Sequence, residues 1–218
     1  MSRDVLNRTL AWLDLQNDPV FNKIPSDRYH YYLDNALMAG ERVADAFSGS
    51  NIRELYDEHC IEIELKQADG LFFTVQFRAQ FEFSEKKALR KVTLYQPSLE
   101  SLQTSCAAQG LMLETDAIID IHLAHEFFHY LEYAQQKPVS TSLDKVCHIA
   151  FGPFRRYSTV TATSEIAAHR FCQRLHRLEY YPTWFDFLWL VHSGKLTQQE
   201  ADERLSQARD ELFCYGLL

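Results

Sequence analysis

From Asp27 to Phe47, apolar residues recur at Tyr29, Leu33, Ala36, Leu37, Gly40, Val43, Ala44 and Phe47. That 3.6-residue period predicts an amphipathic helix entered from Pro25-Ser26, and a shorter helix is expected over Ile52–Glu58. The period then changes to two. Ile61, Ile63 and Leu65 alternate with Glu62, Glu64 and Lys66, as in a half-buried strand. Phe73, Val75, Phe77, Ala79, Phe81 and Phe83 alternate with Thr74, Gln76, Arg78, Gln80 and Glu82, which predicts one long strand with an aromatic face toward a core. Asp69-Gly70 between these two runs is a hairpin signal. A third strand is expected from Lys91 to Tyr95, stopped by Pro97. Beyond it the pattern is helical, with candidates from Ser98 to Ala108, Asp116 to Gln136, Thr163 to Leu178, Thr183 to His192 and Gln198 to Cys214. Thr197 and Glu200 form a capping box before the last. Helices, then a small and mostly antiparallel sheet, then helices again describe an α+β fold.

Composition supports a buried core and excludes one class of partner. Hydrophobic residues make up 46% and charged residues 24% of 218, with only 7 Gly and 6 Pro, so regular segments should dominate. The balance of 22 Lys+Arg against 30 Asp+Glu, net −8, lacks the clustered cations that direct nucleic-acid binding needs. Met1 to Gln16 interleaves Arg3, Asp4, Arg8 and Asp14 with apolar residues, unlike a signal peptide, and no apolar run is long enough to span a membrane. The five cysteines have no Cys-x-x-Cys spacing and read as reduced thiols, so a cytoplasmic location is expected. No repeat or linker divides the chain, which is read as a single domain.

The expected helix from Asp116 to Gln136 contains His125-Glu126-Phe127-Phe128-His129, a His-Glu-x-x-His pattern. Residues i and i+4 share one helix face about 6 Å apart along the axis, so both imidazoles can reach one Zn²⁺. Glu126 lies at the edge of that face, where its carboxylate can take a proton from water activated by the metal. A third protein ligand is required. Glu132 and Gln135 stand where a metzincin would have Gly and His, which excludes that class. The segment Ser164-Glu165-Ile166-Ala167-Ala168-His169 offers a carboxylate on a later helix, with small neighbours that permit close packing. Glu165 is the expected third ligand, and His169, one turn on, is the competitor.

The helix, the Asn51-Ile52-Arg53-Glu54-Leu55 segment running into a strand, the stretch Val92 to Pro97, the His-Glu-x-x-His pattern and Glu165 with Ala168 and Phe171 together resemble the ImmA/IrrE-type zinc metallopeptidases. The resemblance covers roughly Tyr32 to Leu178. It implies a zincin-like core (residues 28–178) whose sheet packs on the active-site helix, with helical extensions at 1–27 and 179–218. It also implies Zn²⁺ on His125, His129 and Glu165, with Glu126 as catalytic base. The substrate implied is a specific regulatory protein, such as a transcriptional repressor, with no direct nucleic-acid or membrane partner. Phe127-Phe128 is bulkier than the residues this family has between the motif Glu and the second His. The alternative is a regulatory or binding module that keeps the metal site without turnover; Glu126, which a structural site does not require, favours the peptidase.

Other residues have a bland and a functional reading. His122 shares the helix face of His125 and is expected to be a packed or solvated side chain rather than a donor supporting the metal site or a residue facing the substrate groove. His148, Tyr157 and Ser158 lie between the two metal-bearing helices, where an oxyanion-stabilising group could stand, or are ordinary loop residues. The apolar run from Trp184 to Leu190 is expected to bury in its own chain rather than in a partner. One of the strands could pair with an extended substrate along its free edge.

Overall fold

A computed structural model describes the backbone of residues 1–72, 75–84 and 89–218, and the same side chains except those of 72, 75 and 76. Its helices start where the sequence supplies a partner for unpaired N–H groups. In α1 (Arg3–Gln16) the Ser2 hydroxyl accepts from Val5 N–H at 3.4 Å. After a short 3₁₀ turn, α2 (Tyr29–Ala46) follows, and α3 (Ile52–Glu58) is capped by Asn51, which accepts from Arg53 N–H at 2.9 Å. Strands β1 (Glu62–Lys66), β2 (Leu71–Phe72), β3 (Val75–Gln76), β4 (Ala79–Ser84) and β5 (Leu89–Tyr95) lead into α4 (Gln96–Ala108), where Pro97 occupies the first turn and initiates the helix. Next come α5 (Thr115–Ala134), α6 (Val139–Ser142), a β6 (Val146–Phe151) and β7 (Phe154–Ser158) hairpin, α7 (Ala162–Leu175), α8 (Thr183–His192) and α9 (Gln198–Cys214). The capping box at Thr197 and Glu200 is formed. The fold is α+β, as the pattern implied.

The main sheet is mixed, which corrects the expectation of a mostly antiparallel one. Its order is β1-β5-β4; β1 runs parallel to β5, with Ile63 opposite Val92, and β4 runs antiparallel, with Phe81 opposite Val92. Asp69-Gly70 does not join the first two strands in a hairpin. Asp69 Oδ1 accepts from Leu71 N–H at 3.0 Å, and Gly70, at φ +67°, turns the chain so that Phe77 N–H reaches the Gly70 carbonyl at 2.9 Å. A Cβ at Gly70 would lie 2.2 Å from the Phe77 carbonyl oxygen, so only glycine fits. The turn therefore opens the small β2–β3 pair rather than returning the chain to β1.

The expected long strand is divided at Phe77-Arg78, where Phe77 N–H turns to the Gly70 carbonyl while the Arg78 carbonyl still accepts from Tyr95 N–H at 2.9 Å, and the Arg78 side chain pairs with Asp186 of α8. Beyond the break Phe81 and Phe83 pack on Tyr130 of α5, with ring centroids 5.7 and 6.2 Å apart. Phe73 and Thr74 lie outside the described residues. The β6–β7 hairpin was not anticipated: its tip residues Phe151 and Phe154 are 81% and 75% exposed, so no in-out alternation marks it.

Two hydrophobic clusters organise the helices. One gathers Tyr56, Leu94, Leu99, Phe127, Phe128 and Phe171; the other gathers Leu10, Trp12, Leu33, Ile166, Tyr181 and Leu212. Helix α7 belongs to both, through Ile166 on one side and Ala167, Ala168 and Phe171 on the other. Gly40 of α2 approaches it so closely that a Cβ there would sit 2.3 Å from the Ala167 carbonyl oxygen. Phe185, Phe187 and Leu188 of α8 are buried within the chain. All five cysteines are free, and among the described residues no helix is long and apolar enough to cross a membrane.

Candidate metal centre

Helix α5 presents opposite faces to two environments. Phe127 and Phe128, the bulky pair inside the motif, are fully buried against Phe47, Tyr56 and Phe171 on its inner side. That packing turns His125 and His129 outward together, with Nε2 atoms 3.1 Å apart. Glu165, in the first turn of α7, meets them: Oε2 is 3.3 Å from His125 Nε2 and Oε1 is 3.4 Å from His129 Nε2. Asp18, following α1, holds the start of α7 by accepting from Ala162 N–H at 2.8 Å and from the Thr161 hydroxyl at 3.0 Å.

Two imidazole nitrogens and a carboxylate this close, linked to one another by hydrogen bonds, are also a donor set that a transition-metal cation can use. Tetrahedral coordination at the usual Zn–N and Zn–O lengths sets neighbouring ligand atoms about 3.3–3.4 Å apart. The imidazole nitrogens 3.1 Å apart and their contacts of 3.3 and 3.4 Å to the two Glu165 oxygens are close to that spacing. The residues therefore fit a zinc ion, and the group could hold one.

Glu132, which the sequence reading used only to exclude a ligand pattern, is part of the support. It is buried, and its Oε2 accepts from His129 Nδ1–H at 3.0 Å. Its other oxygen accepts from Val139 N–H at 2.7 Å and from the Ser164 hydroxyl at 2.8 Å. A carboxylate can only accept, so the Nδ1 proton of His129 stays in place, and Nε2 is the nitrogen that would give up its proton to a metal. Its position three residues after His129, on the same helix face, was the available signal.

Electrostatics record the crowding. Burial acts against a charged His129, yet hydrogen bonds to Glu132 and Glu165 raise its pKa to about 10. Burial also acts against the Glu165 carboxylate, but hydrogen bonds from His125 and His129 hold its pKa well below the usual carboxylate range. Glu126, off the ligand axis, has its pKa pushed up by burial, with His125 and His129 pulling the other way.

His169 does not join the ligands. Its Nδ1 is 2.9 Å from Asp14 Oδ2, and Asp14 also accepts from the Thr183 hydroxyl at 2.9 Å. Its ring stands beside that of His125, with centroids 5.0 Å apart. His122 donates from Nδ1 to the Ile118 carbonyl at 2.8 Å, a packed histidine. His148 pairs with Ser158 at 3.0 Å within the β6–β7 hairpin, and Tyr157 borders a surface hollow with Arg28 and Asp144. Neither lines the cavity of about 200 Å³ that opens beside His125, Glu126 and His169. Ala79, the first residue of β4, does, and β4 is an edge of the main sheet. No protein-family model, curated protein or solved structure matches this chain.

Proposed function

We propose that this chain is a zinc-dependent peptidase, with His125, His129 and Glu165 as metal ligands, Glu126 as general base and a zincin-like arrangement of α5 against the main sheet. The observation that carries this reading is the convergence of His125, His129 and Glu165, with contacts of 3.1–3.4 Å between them, beside a cavity that His125 and Glu126 line. A zinc ion bound there supplies Lewis acidity, polarising a carbonyl and bringing the pKa of water down to about 7. Glu126, whose burial favours the proton-bearing form, takes the proton of the attacking water on its carboxylate and passes it to the leaving amine. His169, held by Asp14, faces the same cavity and can donate from Nε2 to the developing oxyanion. The free edge of β4 suits an extended peptide, whose backbone would then run past the ligand triangle.

A scaffold that only binds metal has no use for a half-buried carboxylate off the ligand axis, and this favours catalysis over a purely structural site. Glu126→Gln is the test. Metal content and melting temperature should stay at wild-type values, while hydrolysis of a peptide library falls by about 10²–10⁴-fold. Retention of both metal and hydrolysis would remove the general-base role and with it the peptidase reading.

A further inference from the structure

The wall of the cavity beside His125 and Glu126 carries a cation that the metal chemistry leaves unused. Arg78 stands where the aromatic strand breaks, its side chain only 15% exposed. One Nη1 bond goes to Asp186 Oδ1, and the guanidinium lies over the Trp189 ring, 5.1 Å from its centroid. Its Nε is buried without a hydrogen-bond partner. An unmet buried donor is costly, and among the described residues Arg28 Nε and Ser98 Oγ share that condition, but of the three only Arg78 lines the cavity beside His125. Asp186 is 43% exposed, so water screens its charge and leaves Arg78 incompletely neutralised. His122, in the same wall, gives its Nδ1 proton to a backbone carbonyl and has no donor left for an anion while neutral. Leu102, Ile121, Pro182 and Phe185 give the wall an apolar stretch, while the carboxylates in it are Asp186, which is paired with Arg78, and Glu126, which stands beside His125.

We infer that this cavity is a carboxylate subsite, in which an apolar residue seats against Leu102, Ile121 and Phe185 and its carboxylate pairs with the Nε edge of Arg78. A guanidinium edge and a carboxylate match in plane and spacing, which gives the pair direction as well as charge. Given the peptidase reading, on which only the identity of the ligand rests, the substrate carries a carboxylate on the residue next to the scissile bond. That carboxylate is either the chain's C-terminus or an acidic side chain.

Calorimetry on the full-length protein, zinc-loaded and chelator-treated, tests this with 3-phenylpropanoate and its uncharged amide. The carboxylate should bind, and the amide at least about tenfold more weakly. Arg78→Gln should weaken the carboxylate by about 10- to 150-fold, the range of charge-assisted hydrogen bonds. Asp186→Asn frees the guanidinium from its internal partner and should tighten binding by about tenfold. This opposite sign is the discriminating result, because an ion pair that merely holds α8 to the sheet would make both variants weaker. Weakening by both, or equal affinity for acid and amide, overturns the subsite. Since Arg78 is not a metal ligand, carboxylate binding should survive chelation; binding that disappears with the metal and ignores Arg78 also overturns it. Survival in a protein that fails the Glu126 test would sink the peptidase reading alone. N-acetyl-phenylalanine against N-acetyl-glutamate α-amide separates the two sources: the tighter ligand names the source, and binding of neither refutes the subsite.

Discussion

Replacing Glu132 with Gln changes one atom's chemistry at the centre and leaves its shape. In the wild type the carboxylate accepts three hydrogen bonds, from His129 Nδ1 at 3.0 Å, Val139 N at 2.7 Å and Ser164 Oγ at 2.8 Å. The glutamine oxygen can keep the last two, since both partners donate to the same side. Its amide nitrogen must then face His129 and donate to Nδ1, so the ring proton moves to Nε2 and points into the ligand triangle. To bind metal, the ring must lose that proton or turn away. The expected loss in zinc affinity is about 10–100-fold, the usual worth of a group that orients a ligating histidine. Stability should change less, because one charge-assisted hydrogen bond is exchanged for a neutral one. That difference is about 1–2 kcal/mol, or roughly 2–8 °C in Tm for a chain of this size. Glu132→Ala, which leaves the Val139 amide and Ser164 hydroxyl without their acceptor, should cost several degrees more. Competition with a chromophoric chelator reads the affinity, and melting of the metal-free protein reads the fold. Wild-type zinc affinity in Glu132→Gln would refute the claim that Glu132 sets the His129 tautomer.

Raising the pH should act on the metal-free protein and on metal binding in opposite directions. His129 has a folded pKa of about 10 against an ordinary 6.5, so its contribution to stability is complete below about pH 6.5 and is lost as pH rises toward 10. Denaturant melts of chelator-treated protein should weaken over that window, while zinc affinity climbs by up to about tenfold per pH unit as the proton becomes easier to displace; flat profiles in both would contradict the ion pairing. Gly40→Ala places a methyl 2.3 Å from the Ala167 carbonyl oxygen and 2.9 Å from Arg170 Cβ. The overpacking should cost about 1–3 kcal/mol and, by displacing the helix that carries Glu165, weaken zinc binding; an unchanged Tm would show that α2 and α7 are not in firm contact.

The helices were legible because each carries its own period and boundary residues. Thr183–His192 and Gln198–Cys214 have the limits that the pattern and the Thr197 cap implied. The sheet was less so. Alternation reveals that a strand has an apolar face, but not which neighbour pairs with it. The parallel partnership of β1 with β5 therefore left no mark in the run Ile61 to Leu65, where Ile63 and Leu65 are exposed. The partner that Arg78 finds at the break, Asp186, is more than a hundred residues away, and no local window can contain both. At the centre, His125 and His129 were visible because one helical turn brings them together, and Glu165 because its neighbours are small. Glu132 was visible only as a residue of the wrong type for another ligand pattern. Asp14 and Asp18, which hold His169 and the start of α7, carried no local sign of these partners, which lie more than 140 residues on.

The two routes by which the ligands arrive explain how so small a centre is held. His125 and His129 come from one helix and need only its inward face, Phe127 and Phe128, to be locked. The bulk of that pair, which set this chain apart from its resemblance, is then an advantage, because two large rings buried to 0% and 2% fix the rotation of α5 about its axis. Glu165 has no such local constraint. Its helix is placed by Gly40 on one side, by Asp18 at its start, and by Ile166 and Phe171 reaching into different hydrophobic clusters. A cation shared by α5 and α7 would therefore join the two clusters across their common wall. The proton that His129 carries without a cation must be displaced when one binds, so the affinity of the centre depends on pH.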